Sequence, residues 1–195
     1  MDGETIDILA AANNASNKVA SITKRSMNGE LDFFESLTAR VKFLKGMPLS
    51  KADEICKNLP IMPGASELIE ALKQKGIKVV VFSGGFHIAT DKMQKKLKFV
   101  ANFANILQHK DGILTGEVGG EMMFGSSKGE IIDRLKGLLN LDRSEIMCVG
   151  DGANDVSMFR KCDLKIAFCA KEILKKEATH CVDVKDLREI LKYIR

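Results

Sequence analysis

From residue 61 onward the chain alternates short apolar strands with amphipathic helices, and this alternation limits the folds open to it more than any other feature. Residues 77–82 form a continuous apolar run, as expected of a parallel strand covered on both faces. Residues 146–149 and 164–168 read as further strands. Helical periodicity fills 65–75, 86–97, 127–139, 154–160 and 185–194. Gly76 reads as the C′ residue that ends the first of these helices. Between 106 and 123, Asp111-Gly112 and Gly119-Gly120 point to hairpins. Such alternation predicts an α/β fold with a doubly wound parallel sheet.

Residues 1–60 have a different texture and read as helices only. Apolar positions recur at helical spacing over 4–12, 18–27 and 31–44. Phe34, Leu37, Val41 and Leu44 are expected on one face. Gly29 and Gly46-Met47-Pro48 punctuate the segment. Ser50 is a candidate N-cap for a further helix, with Asp53 three residues on. The expected organisation is a helical segment over 1–60 and an α/β core over 61–195.

Composition excludes several function classes. The 195 residues are 45% apolar and 29% charged, a globular balance. No apolar run is long enough to cross a bilayer. Met1-Asp2-Gly3-Glu4 is acidic where a signal peptide is basic, so a cytoplasmic location is expected. A net charge of +4 with interleaved lysines, one Tyr and no Trp does not favour nucleic-acid binding. Neither a membrane nor a nucleic acid is an expected partner. Cys56, Cys148, Cys162, Cys169 and Cys181 are odd in number and lack C-x-x-C spacing, so reduced, mostly buried thiols are expected. His87, His109 and His180 are too dispersed to make a histidine metal site attractive.

Three motifs carry chemistry. The strongest is Val149-Gly150-Asp151-Gly152-Ala153-Asn154-Asp155. A strand ends in a turn rich in glycine and acid, and a helix follows, at the carboxyl end of the strand, where open parallel sheets bind ligands. Asp151 and Asp155 place two carboxylates beside one point, and Mg²⁺ takes one or two carboxylates together with phosphate oxygens. A bare Asp-Gly would be read as a capping turn. The second motif is Ser83-Gly84-Gly85 after the 77–82 strand, where a hydroxyl and backbone N–H groups can hold an anion. The plain alternative is a glycine turn with a capping serine. The third is Lys128 at the start of a helix, where a cation opposes the helix dipole. An anion between lysine and helix would reverse that sign, whereas the plain alternative is an exposed lysine. Together they describe a phosphate pocket with a metal.

In order and separation, Ser83, Lys128 and Gly150-Asp151-Gly152-x-Asn154-Asp155 resemble the second, third and fourth motifs of the haloacid dehalogenase superfamily. Over essentially the whole chain the sequence is similar to the phosphoserine phosphatase family. The likeness rests on Glu4-Thr5-Ile6-Asp7, Ser36-Leu37-x-x-Arg40-Val41, Ser83-Gly84-Gly85-Phe86, Asp111-Gly112-x-Leu114-Thr115-Gly116 and Lys165-Ile166-Ala167-Phe168. This resemblance implies a helical cap over a Rossmann-like core. It implies Mg²⁺-dependent hydrolysis of O-phospho-L-serine to L-serine and phosphate, the last step of serine biosynthesis, with a homodimer left open. Glu4 would bind the substrate ammonium and Arg40 its carboxylate, with Met27 and Phe33 lining the pocket. Ser83 and Gly84 would hold phosphoryl oxygens, Lys128 would neutralise them, and Asn154 would contact the phosphate. Asp151 would ligate Mg²⁺ and Asp155 would support the metal. Without the resemblance, Glu4 is an acid at a helix start, Arg40 a surface charge and Phe33 a core residue.

Members of this family open with a strand ending in D-x-D-x-T, whose first aspartate attacks phosphorus and whose second transfers the proton. The present sequence contains no such motif. The expectation is therefore that the first, central strand is missing, that the chain folds poorly, and that it turns over negligibly as written. Two alternatives stand beside phosphoserine hydrolysis. One is a phosphatase for another small phosphomonoester. The other is a non-catalytic protein that binds phosphate or phosphoserine.

Overall fold

A computed structural model describes residues 4–194. The acidic opening tripeptide discussed above lies outside the described residues. The chain divides into two compact units: residues 1–61 with 72–123, and residues 62–71 with 124–195. The expected boundary at residue 60 therefore marks only the first of three chain crossings. The helical segment does not stand apart, because it packs with the first three strands.

The first unit opens with α1 (Thr5–Ala12), α2 (Ser16–Met27) and α3 (Phe33–Val41), the last continued by a 3₁₀ turn over Lys42–Leu44. α3 starts at a capping box, in which Asp32 accepts from the Glu35 backbone N–H and Glu35 accepts from that of Asp32. α1 buries Ile6, Leu9 and Ala10 at helical spacing. On α3 and its continuation, Leu37, Val41 and Leu44 are buried as expected, but Phe34 is exposed. The buried face of α3 also takes in Ser36 and Arg40, so its centre lies nearer Phe33 and Phe34 falls at its margin.

α4 (Leu49–Lys57) begins after Pro48, so Ser50 lies inside the helix and is not its cap. α5 (Ala65–Gln74) spans the passage between the units and ends near Gly76 at φ 75°. The Ile77 N–H reaches back to the Leu72 carbonyl, and the αL glycine lets the chain turn there.

β1 (Val80–Phe86) pairs in parallel with β2 (Ala101–Lys110), and β2 pairs antiparallel with β3 (Ile113–Gly120). α6 (His87–Leu97) connects the first two strands. The strand continues through Ser83-Gly84-Gly85, which the sequence had placed in a loop. Between β2 and β3, Asp111 and Gly112 have φ 51° and 76°, the values of a type I′ hairpin turn. Gly119-Gly120 is not a second hairpin turn; it is the end of β3. The 46–49 segment hydrogen-bonds along this hairpin, through Gly46 to Leu114 and Leu49 to Gly112.

The second unit contains α7 (Ser127–Leu139), β4 (Met147–Gly150), α8 (Val156–Phe159), β5 (Leu164–Phe168), α9 (Glu172–Lys175) and β6 (His180–Val182). Its three strands are all parallel, in the order β4-β5-β6. Residues 153–155 form a 3₁₀ turn ahead of α8, and Leu187–Tyr193 is 3₁₀, not the α-helix expected. Met62–Ala71 belongs here because the Leu187 N–H bonds to the Pro63 carbonyl.

Among the described residues the strands form two three-stranded sheets, β1-β2-β3 and β4-β5-β6, within the α/β class expected. β1 and β4 are each an edge strand of their own sheet. Val80, Val81 and Phe82 are accordingly only half-buried, although their apolar run had predicted cover on both faces. All five cysteines are free, with Cys56, Cys148 and Cys162 buried and Cys169 and Cys181 exposed. Among the described residues no helix is long and apolar enough to cross a membrane.

Candidate active site

The predicted site residues fall into two groups, one in each unit. In the first unit, Glu4 precedes α1 and Arg40 sits in the last turn of α3. Arg40 is buried, and its Nη1 donates to Glu4 Oε2 at 2.8 Å. Its Nε donates to the Ser36 carbonyl at 3.3 Å. The Glu4 side chain keeps 60% of its exposure. A guanidinium is therefore anchored inside the fold and meets a carboxylate that remains open to solvent. Burial raises the Asp7 carboxyl above its ordinary range, the nearby Glu4 charge raises it further, and Arg40 pulls it back.

The Ser83-Gly84-Gly85 stretch lies next to the start of α1. A Cβ added at Gly85 would come within 3.1 Å of Ser83 Oγ and 3.7 Å of Thr5 Oγ1. Ser83 Oγ accepts from the Gly85 N–H at 3.0 Å. Ladder pairing of β1 breaks between Phe82 and Phe86, which face Phe103 and Asn105 on β2. Four steps on one strand thus match two on the other, and the extra residues bulge out. Asn105 is fully buried and donates to the Gly84 and Met122 carbonyls at 3.2 and 3.0 Å. Sequence reading missed Asn105. The available signal was an amide side chain inside a strand, where Asn is disfavoured. Met27 ends α2 with 69% exposure, and Phe33 opens α3 half-buried. They flank the α2–α3 connection, and the structure leaves Met27 on an open helix end.

In the second unit, Lys128 is neither exposed nor unpaired. It is buried in the first turn of α7, and its Nζ lies 2.5 Å from Asp155 Oδ1. The other Asp155 oxygen accepts from the backbone N–H groups of Asp151 at 2.8 Å and Gly152 at 3.0 Å. A buried carboxylate survives only with such partners. Gly150 is required here, because a Cβ at that position would lie 2.6 Å from Asp155 Cβ, Cγ and Oδ2. Gly129 serves a similar purpose, since an added Cβ would meet the Ser157 carbonyl at 2.7 Å. Ser157 Oγ, also unforeseen, accepts from the Gly129 N–H and donates to the Asn154 carbonyl, at 3.3 and 3.4 Å. It ties the Lys128 helix to the turn carrying Asn154.

Asp151 is exposed, and its side chain lies in hydrogen-bonding range of Asp155. The protein around it desolvates the group and raises its pKa, the adjacent Asp155 charge adds to the rise, and Lys128 opposes it. Both oxygens of Asp155 are engaged by three donors, and Asp151 is the more exposed carboxylate of this turn. No cluster of three acidic, histidine or cysteine ligands forms among the described residues. A single open carboxylate suits a hard cation that takes its other ligands from water and phosphate, the habit of Mg²⁺. Ser83 belongs to the first unit and Lys128 to the second.

Comparison with known proteins agrees with these motifs. The family described as haloacid dehalogenase-like hydrolase matches residues 2–163. The phosphoserine phosphatase of Campylobacter jejuni subsp. doylei is 58% identical over 194 residues, covering 100% of this chain and 94% of the relative. That of Methanocaldococcus jannaschii is 46% identical and is covered to 92%. A solved structure described as a substrate-bound phosphoserine phosphatase complex superimposes with a TM-score of 0.94 at 46% identity, covering 100% of this chain and 92% of that one. Matches over the whole of this chain and more than nine-tenths of each relative lend the missing-strand expectation no support. They do establish the family: the chain belongs to the haloacid dehalogenase-like hydrolases and, within them, to the phosphoserine phosphatases.

Proposed function

We propose that this chain recognises O-phospho-L-serine and supports its Mg²⁺-dependent hydrolysis to L-serine and phosphate. The observation that carries the reading is the Glu4–Arg40 pair beside the Ser83-Gly84-Gly85 stretch. An amino-acid substrate carries an ammonium and a carboxylate. A solvent-open carboxylate and an anchored guanidinium are their complements, and each can exchange its internal partner for the substrate group of the same charge. The Arg40 fork suits bidentate capture of a carboxylate. Ser83 and Gly84 then take phosphoryl oxygens, while Met27 and Phe33 line the apolar side of the site.

Lys128 neutralises phosphoryl charge, Asn154 contacts the phosphate, and Asp155 holds Lys128 and the Asp151 turn in place. Asp151 is the carboxylate that would hold Mg²⁺, which would supply further charge stabilisation to the phosphoryl oxygens. The helical segment over 1–60 acts as the cap, and a cytoplasmic location belongs to the same reading.

The sequence carries no D-x-D-x-T, and no other acid stands in a matching place. The residues named above account for binding and orienting the substrate, and the residue that attacks phosphorus is not among them. A non-catalytic phosphoserine-binding role rests on this same observation. Calorimetry with O-phospho-L-serine, and with a phosphate monoester lacking a carboxylate, tests the reading. Arg40→Ala should weaken the first and spare the second. Equal weakening of both would refute recognition through Arg40. Phosphate release by a chain joined to an upstream D-x-D-x-T strand would separate the enzyme from the binder.

A further inference from the structure

Asn105 does work that the motifs do not describe. Its side chain is completely shielded from solvent, on β2 opposite Phe86. There the β1 ladder breaks, so residues 83–85 lose their regular strand partners. Asn105 Nδ2 supplies a substitute by donating to the Gly84 carbonyl at 3.2 Å. The same nitrogen donates to the Met122 carbonyl at 3.0 Å, and Oδ1 accepts from the Met122 N–H at 3.0 Å. Gly120, at φ 136°, lets the end of β3 lie directly on Asn105, where a Cβ would come 2.8 Å from its Cα. The amide is thus clamped by the Met122 backbone and cannot turn away.

The consequence reaches the Ser83 hydroxyl through one peptide plane. The Gly84 carbonyl and the Gly85 N–H belong to the same planar unit and point in opposite directions. Asn105 holds the carbonyl end, and the N–H end is donated to Ser83 Oγ at 3.0 Å. With that lone pair occupied, the Ser83 hydroxyl keeps its own proton free to donate elsewhere.

We infer that Asn105 is a positioning residue for the anion-binding turn, fixing the Gly84–Gly85 peptide so that the Ser83 O–H is aimed at a phosphoryl oxygen. This rests on the phosphoserine reading above, and the test separates the two. Inorganic phosphate and L-serine are titrated separately, by calorimetry, into the full chain and into Asn105→Asp. The variant keeps an acceptor for the Met122 N–H and loses both donors. Phosphate affinity should fall by about tenfold or more, the worth of one hydrogen bond to a charged group. L-serine affinity, set by Glu4 and Arg40, should be unchanged.

Unaltered phosphate affinity in the variant would overturn the inference and leave the phosphoserine reading standing. A parallel loss of both ligands would show a merely structural role and overturn it as well. If the unaltered chain bound neither ligand, the phosphoserine reading itself would fail and the inference with it. Should the variant not fold, NMR of the unaltered chain decides. The Asn105 side-chain amide signals should shift as phosphate is added, and signals that stay fixed while the Ser83–Gly85 amides move would overturn the inference.

Discussion

Glu4–Arg40 and Lys128–Asp155 are both contacts between a carboxylate and a cation, yet their surroundings differ. In the first, only the arginine is buried, and the glutamate keeps 60% of its side-chain exposure. In the second, both side chains are nearly lost to solvent, at 10% and 3% exposure. The buried pair is also saturated, because Asp155 accepts from two backbone N–H groups besides Lys128. A pair with one solvated partner is cheaper to open than one with both buried, since water takes over the bonds that the exposed carboxylate loses. A buried one leaves an uncompensated charge when broken. The first pair is suited to exchanging partners with a ligand, and the second to holding a loop still.

That contrast can be broken most forcefully at Asp155. Asp155→Ala strands the Lys128 charge and two backbone N–H groups, and should cost about 3–5 kcal/mol of folding stability. Denaturant unfolding measures this, and a loss no larger than that of an exposed pair would erase the distinction. Next comes Gly150→Ala. Its Cβ would collide with three Asp155 atoms at 2.6 Å, and overpacking of this kind should cost about 1–3 kcal/mol. Glu4→Ala should cost less stability than Asp155→Ala, because Arg40 keeps its bond to the Ser36 carbonyl and no backbone N–H is stranded. Its effect belongs instead in calorimetric affinity for O-phospho-L-serine, which should drop while phosphate affinity holds. A large stability loss at Glu4 would place it with the structural pair.

The smallest effect is a pH dependence at Asp151. Its folded-state pKa is raised, chiefly by desolvation and then by Asp155. A raised carboxyl contributes stability that is fully present below its ordinary value of 3.8 and is lost as pH rises through the folded value. Asp151→Asn should remove this slope from unfolding curves taken across the acidic range. An identical slope in the variant would assign it to another group.

The motif-bearing turns were the most legible part of the chain. Gly150-Asp151-Gly152 and the helix start at Lys128 are local chemistry, written in consecutive residues. The periodic helices were legible for the same reason, and Ser127–Leu139 and Leu164–Phe168 fall where their patterns place them. Weak local signals failed. His180–Val182 is a three-residue strand with two exposed positions, too short to show a period. The 185–194 stretch has helical spacing but winds as 3₁₀ over Leu187–Tyr193. Ser50 looks like a cap, yet Pro48 stands ahead of it and the helix starts sooner.

By itself, the sequence marked the candidate site residues and most of the helices and strands, because side-chain type and short-range periodicity are local properties. Tertiary structure alone decided that Lys128 is buried against Asp155, that Arg40 faces Glu4 across 36 positions of chain, and that Asn105 clasps Gly84. Such pairings depend on how distant segments pack. Burial turns an ordinary lysine or asparagine into a group that must find partners.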